Sequence, residues 1–140
     1  MYENNERKTI IIINDKVNVP SLLNAIGHIV QGLAVQIGSD ELNMLDYPFR
    51  DNLKKSYISE YPVIILKANN SSQLSKLRQS LETLEKQVAY NCFTAEMIGD
   101  SAENQIEANL KAEQPEFWAI AVFGETENLK PFTKKFSLYR

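Results

Sequence analysis

Residues 9–37 read TIIIINDKVNVPSLLNAIGHIVQGLAVQI and carry the strongest structural signals in the chain. It opens with four consecutive isoleucines between a threonine and an asparagine. A short β-branched segment that is apolar on both faces is typical of a buried central strand. Apolar residues then recur at helical spacing after Pro20, a residue that suits the first turn of a helix. The stretch therefore predicts a strand at 9–14 and a helix over 20–37.

The predicted helix has no charged face. Between Lys16 and Asp40 the chain runs for 23 residues without Asp, Glu, Lys or Arg. A surface helix of a globular protein normally turns charged residues toward water. Polar residues such as Asn18, His28 and Gln36 argue against a membrane span. We therefore expect the helix to pack on a sheet and also to contact a loop, a ligand or a second subunit.

Size and composition fit one soluble globular domain. The chain has 140 residues, 44% hydrophobic and 24% charged, with a net charge of −3. This charge gives no general attraction to nucleic acid or anionic lipid, so neither partner is expected. Cys92 is the one cysteine, which excludes an intrachain disulfide and fits a reducing compartment. The N-terminus lacks the apolar core of a signal peptide, so we expect no membrane association and a cytoplasmic location.

Strands and helices alternate along the rest of the chain. Further strands are predicted at 63–67, 93–98 and 117–123, and residues 136–139 are expected to pair on a sheet edge. Three predicted helices separate these strands. The first has an apolar stripe from Leu74 to Val88 with Glu85 facing water, the second is a mostly polar helix at 101–112, and the third is a short helix at 126–135. Residues 40–60 are predicted to form a long ordered loop with one short hairpin. Loops of this length are often lids or binding loops.

This order predicts an α/β fold, specifically a three-layer α/β/α sandwich with a mixed, mostly parallel sheet of about four strands. The sheet is expected to be mixed because the connection before the third strand is short. Residues 1–7 are expected to be a flexible N-terminal segment, and residues 8–140 a single domain.

Several short segments, in a characteristic order, point to a known family. They are the Ile-rich first strand, Asn24-Ala25-Ile26-Gly27-His28, Pro-Phe-Arg-Asp at 48–51, Tyr57 and Pro62, Phe123-Gly124, and the terminal Phe136-Ser137-Leu138-Tyr139-Arg140. Together they resemble a bacterial family of unknown function whose fold is like that of peptidyl-tRNA hydrolase II. The resemblance covers roughly residues 8–140 and implies that fold for this chain.

The hydrolases themselves can be compared residue by residue. Their first helix has a lysine near its start and a histidine seven residues later; His28 matches the histidine, and Ser21 takes the place of the lysine. Lys67 matches a strand lysine. Ester cleavage on peptidyl-tRNA needs a positively charged site for the phosphate and the developing oxyanion. Ser21 supplies neither the charge nor the length of lysine.

A second motif of the hydrolases lies after the third strand. There they have Asp-x-x-x-Thr followed by Gln-Ile. This chain keeps Asp100, Gln105 and Ile106 but has Asn104 in place of threonine. The resemblance implies that Asp100 lies near His28, where the two could act as catalytic acid and base. The alternative role of Asp100 is to cap the helix that begins at Ser101.

The candidate binding residues lie around the first helix. Asn24, His28 and Gln31 share one stripe of it, with Ser21 one turn earlier. The stripe either lines a cleft or hydrogen-bonds to neighbouring segments or a second subunit. An imidazole can act as acid, base or pH switch near neutrality. Because His28 is the single histidine, a His-based metal site within one chain is excluded, and no metal or cofactor is expected.

A small anion is the candidate ligand at the start of the first helix. Asp15 follows the first strand, and ligands of open α/β sheets bind beyond the carboxyl ends of strands. Free backbone N–H groups at the helix start would attract an anion. Asp15 can equally be an ordinary turn residue. The candidate ligand-binding set is Asp15, Ser21, Asn24, Lys67 and Asn104.

Two classes of function remain open. The first is a non-catalytic or small-ligand-binding homodimer. The second is a hydrolase of a peptidyl-tRNA-like ester or amide that uses His28 and Asp100. A homodimer through the 20–37 helix is expected because Leu23 and Val30 lie beside the stripe that covers the sheet. The rival explanation is that the 40–60 loop covers them within one chain.

Overall fold

The computed structural model describes residues 4–84 and 87–140, and it shows a mixed α/β fold. The predicted position of Glu85 and part of the expected 1–7 segment therefore lie outside the described residues. The elements are β1 (Arg7–Asn14), α1 (Val19–Ile37), β2 (Met44–Tyr47), β3 (Ser56–Ser59), β4 (Val63–Ala68), α2 (Ser71–Glu82), β5 (Val88–Thr94), α3 (Ala102–Lys111), β6 (Phe117–Glu125), α4 (Thr126–Thr133) and β7 (Ser137–Leu138).

The main sheet has five strands in the order β5-β6-β1-β4-β7. β1 and β4 pair in parallel, whereas the β1–β6, β5–β6 and β4–β7 pairs are antiparallel. The prediction of a mixed sheet is confirmed, and so is the pairing of residues 136–139 at a sheet edge, where β7 is the fifth strand; "mostly parallel" is wrong. The reason is the segment between β5 and β6. In it α3 packs against the 3₁₀ turn Ala95–Met97 at one end of the sheet, so β6 begins at the end where β5 finished and runs antiparallel to it.

One predicted strand is shifted along the sequence. The strand expected at 93–98 lies at Val88–Thr94, and α2 ends at Glu82 instead of continuing to Val88. Val88 fits the helical stripe of α2 by spacing alone. In the structure it pairs with Gly124 of β6 and is 5% exposed, so the strand partner decides its conformation.

The isoleucine run of β1 forms the centre of the sheet, as predicted. Ile10 and Ile12 pack with α2 and α4 on one face, and Ile11 and Ile13 pack with α1 on the other. All four are at most 2% exposed. The alternation of a strand thus supplies two cores from one short segment.

Side-chain hydrogen bonds fix the turn from β1 into α1. The buried Asn14 donates from Nδ2 to the carbonyl oxygen of Phe117 at 3.0 Å, and its Oδ1 accepts from the backbone N–H of Lys16. The Asn18 side chain then caps α1 by accepting from the N–H of Ser21. Gly38, with φ of 89°, ends the helix in a conformation that L side chains rarely adopt.

The 40–60 segment contains the predicted hairpin. β2 and β3 form a separate two-stranded sheet in which Leu45 lies opposite Ile58 and Asp46 opposite Tyr57. We call residues 44–59 the hairpin arm. At its base, the buried Leu42 packs into the α1-side core. The arm itself leaves Leu23 and Val30 of α1 exposed, at 65% and 38%.

The two glycines within α1 should respond oppositely to alanine. A Cβ at Gly27 would meet nothing within 4 Å, whereas one at Gly32 would lie 2.3 Å from Nδ2 of Asn91. Alanine stabilises a helix interior by up to about 1 kcal/mol over glycine. At Gly32 the new methyl would break the hydrogen bond from Asn91 to the carbonyl of Ile29. We expect Gly32→Ala to be less stable than Gly27→Ala by at least about 1 kcal/mol. Urea unfolding of both variants measures this, and equal stabilities would contradict it.

Candidate functional site

The two flanks of α1 differ in chemistry. α1 packs on β5 and β6 through its buried stripe, Leu22, Ala25, Ile29 and Leu33. Residues two apart lie about 200° around the helix axis, so the flank with His28 and the flank with Val30 point in opposite directions. His28 and Asn24 contact the cleft beside β5. The other flank, which we call the apolar flank (Val19, Leu23 and Val30), therefore faces away from β5.

A cleft of about 450 Å³ lies between β5 and the flank of α1 that carries Asn24 and His28. Among the described residues, its lining contains no Asp, Glu, Lys or Arg. The lining residues are Asn24, His28, Ile29, Asn91, Cys92, Phe93, Met97, Ile98, Gly99 and Gln105. The cleft is thus built from amides, one imidazole, one thiol and apolar side chains.

Aromatic rings form one wall of this cleft. The His28 ring stacks on Phe93, with ring centroids 6.0 Å apart and planes 20° from parallel. Phe93 is 6% exposed and also contacts Trp118, whose centroid is 5.9 Å away. The Trp118 Nε1 is buried and makes no hydrogen bond to any residue the structure describes. Phe93 therefore supports His28 from below and joins the cleft to the α1-side core.

Two side-chain amides of the cleft already donate hydrogen bonds to the backbone. Asn91 donates to the carbonyl of Ile29, and Gln105 donates to the carbonyl of Gly99, each at 3.0 Å. Their side-chain oxygens remain as acceptors. Within the described part of the chain, the side chain of Asn24 and the ring nitrogens of His28 form no hydrogen bond. These two exposed side chains can bind a ligand without breaking an existing contact.

Cys92 is the candidate nucleophile of the cleft by residue type. Burial raises the pKa of its thiol to about 12, because a thiolate is poorly solvated there. The nearby Arg78 lowers this pKa and Glu82 raises it, both by less than burial does. A thiol that stays protonated at neutral pH is a poor nucleophile, so Cys92 acts as a small wall residue.

The predicted site residues of the third-strand motif lie beside the cleft. Gly99 and Gln105 line it, whereas Asp100 is exposed and outside the lining. The prediction that Asp100 caps the helix is wrong, because Ser101 is the cap and accepts from the N–H of Asn104. The serine hydroxyl stands at the N-cap position, one residue before α3 begins. Asn104 is exposed on the first turn.

Asp15, Ser21 and Lys67 lie apart from the cleft. The register places Lys67 of β4 in one row with Ile13, Ala119 and Phe93 across the α1 side of the sheet. Three strand spacings separate Lys67 from Phe93, roughly 14 Å. Asp15 is exposed in the turn after β1, and the N–H of Ser21 is already bonded to Asn18. Of the predicted set, the structure brings only Asn24 and His28 to the cleft.

Sequence reasoning missed the β5 side of the cleft. Asn91 and Cys92 fell in the gap before the strand predicted at 93–98, although the structure places both in β5. A pairing of β5 with β6 would have been needed to find them. Phe93 was assigned to a strand, but its stacking on His28 depends on the position of α1 over that strand.

The described residues contain no cluster of three or more His, Cys, Asp or Glu side chains that could hold a metal ion. Within the same residues, no helix has the length and apolar character needed to cross a membrane.

The fold and cleft together define a mixed α/β domain with an uncharged surface cleft beside its first helix. The chain belongs to the DUF2000 family of proteins of unknown function, whose model matches residues 7–140. The predicted membership of a family of unknown function is thereby confirmed. A comparison with curated proteins found no match.

A solved structure shares this fold. The protein of unknown function Atu0240 from Agrobacterium tumefaciens strain C58 superposes with a TM-score of 0.77 at 19% sequence identity. The match covers 96% of this chain and 98% of that one. At this identity the likeness is evidence for the fold alone.

Proposed function

We propose that this chain is a non-catalytic, small-ligand-binding homodimer with a three-layer fold like that of peptidyl-tRNA hydrolase II. The main observation that supports ligand binding is the cleft beside α1. It offers uncommitted hydrogen-bonding groups on Asn24 and His28, an aromatic wall and no charged side chain among its described lining residues. Such a cleft can hold and orient a ligand. We further propose a single domain over 8–140 in a cytoplasmic protein.

The chemistry of the cleft favours a neutral ligand. An anion or a cation would give up hydration without meeting an opposite charge there, which is unfavourable. A flat ring with hydrogen-bonding edges fits the stacked His28 and Phe93 and the amide oxygens of Asn91 and Gln105. The small anion predicted from Asp15 stays a prediction, at the start of α1 and away from this cleft.

The proposed homodimer is supported by the apolar flank of α1. Leu23 is 65% exposed and Val19 is 51% exposed, and no charged residue lies between Lys16 and Asp40. Apolar surface of this kind is normally covered in a protein–protein contact. Two-fold pairing is the commonest way to cover it.

The alternative function is hydrolysis of a peptidyl-tRNA-like ester or amide with His28 and Asp100. The observation in its favour is that Gly99, the residue before Asp100, lines the same cleft as His28. Against it stand the exposed position of Asp100 and the distance of Lys67 from the cleft. Among the described lining residues no cation is present to stabilise a developing oxyanion.

Ligand binding can be tested by NMR with isotope-labelled protein. Neutral aromatic heterocycles that carry amide-like edges are the probes, and inorganic phosphate is the comparison. We expect the heterocycles to shift the side-chain amide signals of Asn24, Asn91 and Gln105 and the His28 ring signals, and a His28→Ala variant to weaken binding. Phosphate shifts at these signals, with none from the heterocycles, would contradict a neutral ligand.

Hydrolysis is the subject of a separate prediction. We expect the wild-type protein to show no enzyme-like turnover of peptidyl-tRNA, because Ser21 and Asn104 replace the lysine and threonine of the hydrolases. The measurement is release of free tRNA from a labelled substrate, with Asp100→Ala and His28→Ala as matched variants. Rapid turnover that is lost in both variants would establish the alternative function instead.

A further inference from the structure

The hairpin arm carries many apolar side chains that the rest of its own chain leaves uncovered. The exposed large apolar residues of the arm are Met44, Leu45, Tyr47, Phe49, Leu53, Tyr57 and Ile58. A two-stranded hairpin is marginally stable by itself in water. Exposed apolar surface on such an arm is typical of a contact with another molecule.

The two faces of the arm differ in charge. Asp46 and Tyr57 share one face, where Lys55 Nζ lies 2.6 Å from Asp46 Oδ2 and 5.6 Å from the centre of the Tyr57 ring. Leu45 and its cross-strand partner Ile58 occupy the other face together with Tyr47. Because burying a charge costs far more than burying an apolar group, the second face is suited to docking. We call it the uncharged face of the arm.

The apolar flank of α1 matches this face in both chemistry and length. It too lacks charged side chains, and Val19, Leu23 and Val30 are exposed along it. The exposed part of this flank, from Val19 to Val30, spans roughly 17 Å. The four residues of β2, Met44–Tyr47, extend over roughly 13 Å. One arm can therefore follow most of the exposed flank.

The apolar area is large enough for a stable dimer. Taking roughly 150–250 Å² for a large side chain and leaving out Met44 and Tyr57 of the charged face, the exposed apolar fractions of the arm and the apolar flank amount to about 800 Å² per chain. Two copies thus carry about 1,600 Å², and specific protein interfaces bury about 1,200–2,000 Å² in total. An exchange of arms between two chains can bury this surface on both.

We propose that the uncharged face of the arm of one chain packs along the apolar flank of α1 in a second copy, and that the second copy's arm returns the contact. This rests on the proposed homodimer and specifies which segments form it. The contact is isologous: the arm meets the partner's helix, and the helix meets the partner's arm. The dimer is then held by two equivalent arm–helix contacts.

A matched pair of charge substitutions tests the proposal. Leu45 and Met44 are neighbours that are 39% and 41% exposed, but Leu45 lies on the uncharged face and Met44 on the charged face. We expect Leu45→Glu to raise the dimer dissociation constant at least tenfold and Met44→Glu to change it less than twofold. Sedimentation over a concentration series measures both, with far-UV circular dichroism as the check on folding. Equal effects of the two substitutions would overturn the proposal.

Cross-linking between cysteine variants distinguishes this contact from a direct helix–helix dimer. In a Cys92→Ser background, Leu23→Cys chains are mixed with Leu45→Cys chains and treated with a short bis-maleimide. Cross-linked dimers in the mixture, and none in Leu23→Cys alone, support arm exchange. Cross-linking of Leu23→Cys alone would overturn arm exchange and leave the proposed homodimer standing. A wild-type mass equal to one chain would overturn both, while the ligand-binding test would be unaffected.

Discussion

Val30→Asp is expected to dissociate the homodimer into chains of 16.0 kDa. Val30 is the C-terminal residue of the apolar flank of α1 and is 38% exposed in the single chain. In a dimer, each subunit would bring one unpaired carboxylate into an apolar contact, and the two-fold symmetry doubles the cost. We expect the dissociation constant to rise by at least a hundredfold, which corresponds to about 2.7 kcal/mol. Light scattering at micromolar concentration measures the mass.

Val35→Asp is the matched control on the same helix. Val35 is 86% exposed and lies on the side of α1 away from the apolar flank. Its substitution should leave the mass at twice that of the chain and the unfolding free energy within about 0.5 kcal/mol. Dissociation by both substitutions would show that the apolar flank is not the contact. A wild-type monomer would end the dimer proposal.

The second large effect is expected in the wall of the cleft. Phe93→Ala should lower the free energy of unfolding by about 3–5 kcal/mol, the usual cost of deleting a buried phenylalanine ring. Phe93 is 6% exposed and contacts both His28 and Trp118. Its loss removes the ring on which His28 stacks, so we also expect weaker binding of neutral heterocycles. Urea unfolding measures the change in stability, provided that the unfolding free energy of both proteins depends on urea concentration with the same slope.

Leu110→Ala is the control for this substitution. Leu110 is 82% exposed on α3, where alanine is also a good helix former, so stability should change by no more than about 0.5 kcal/mol. A loss below about 1 kcal/mol in Phe93→Ala would contradict the packing of Phe93 between the sheet and α1. A full loss of stability with unchanged binding would show that the ligand does not use the stacked wall.

The candidate site was half predictable from the sequence. His28 and Asn24 share a helix stripe, and helical spacing is a local property that sequence reports well. The residues opposite them, Asn91 and Phe93, come from a strand more than 60 positions away along the chain. Their position depends on which strand pairs with β6 and in what register. Nothing in the local pattern around Val88 separates the end of a helix from the start of a strand.

The resemblance to the hydrolases implied one site for residues that the structure places apart. Lys67 lies three strands from Phe93 because β1 and β6 separate β4 from β5. Asp100 is exposed and lies one residue before Ser101, which is the helix cap. A motif preserves the order of residues along the chain, whereas a site depends on the order of strands in the sheet.

The central strand, the charge-free helix after it and the alternation of strands and helices follow from local sequence pattern, because four isoleucines between polar ends and a 23-residue segment without charge allow few other structures. The direction of β6 and β7, the start of β5 and the flank of α1 that faces the cleft follow only from the three-dimensional arrangement. These depend on long-range pairing, in which a strand fits equally well by composition beside several neighbours. Hydrogen-bond register and side-chain packing then select one arrangement.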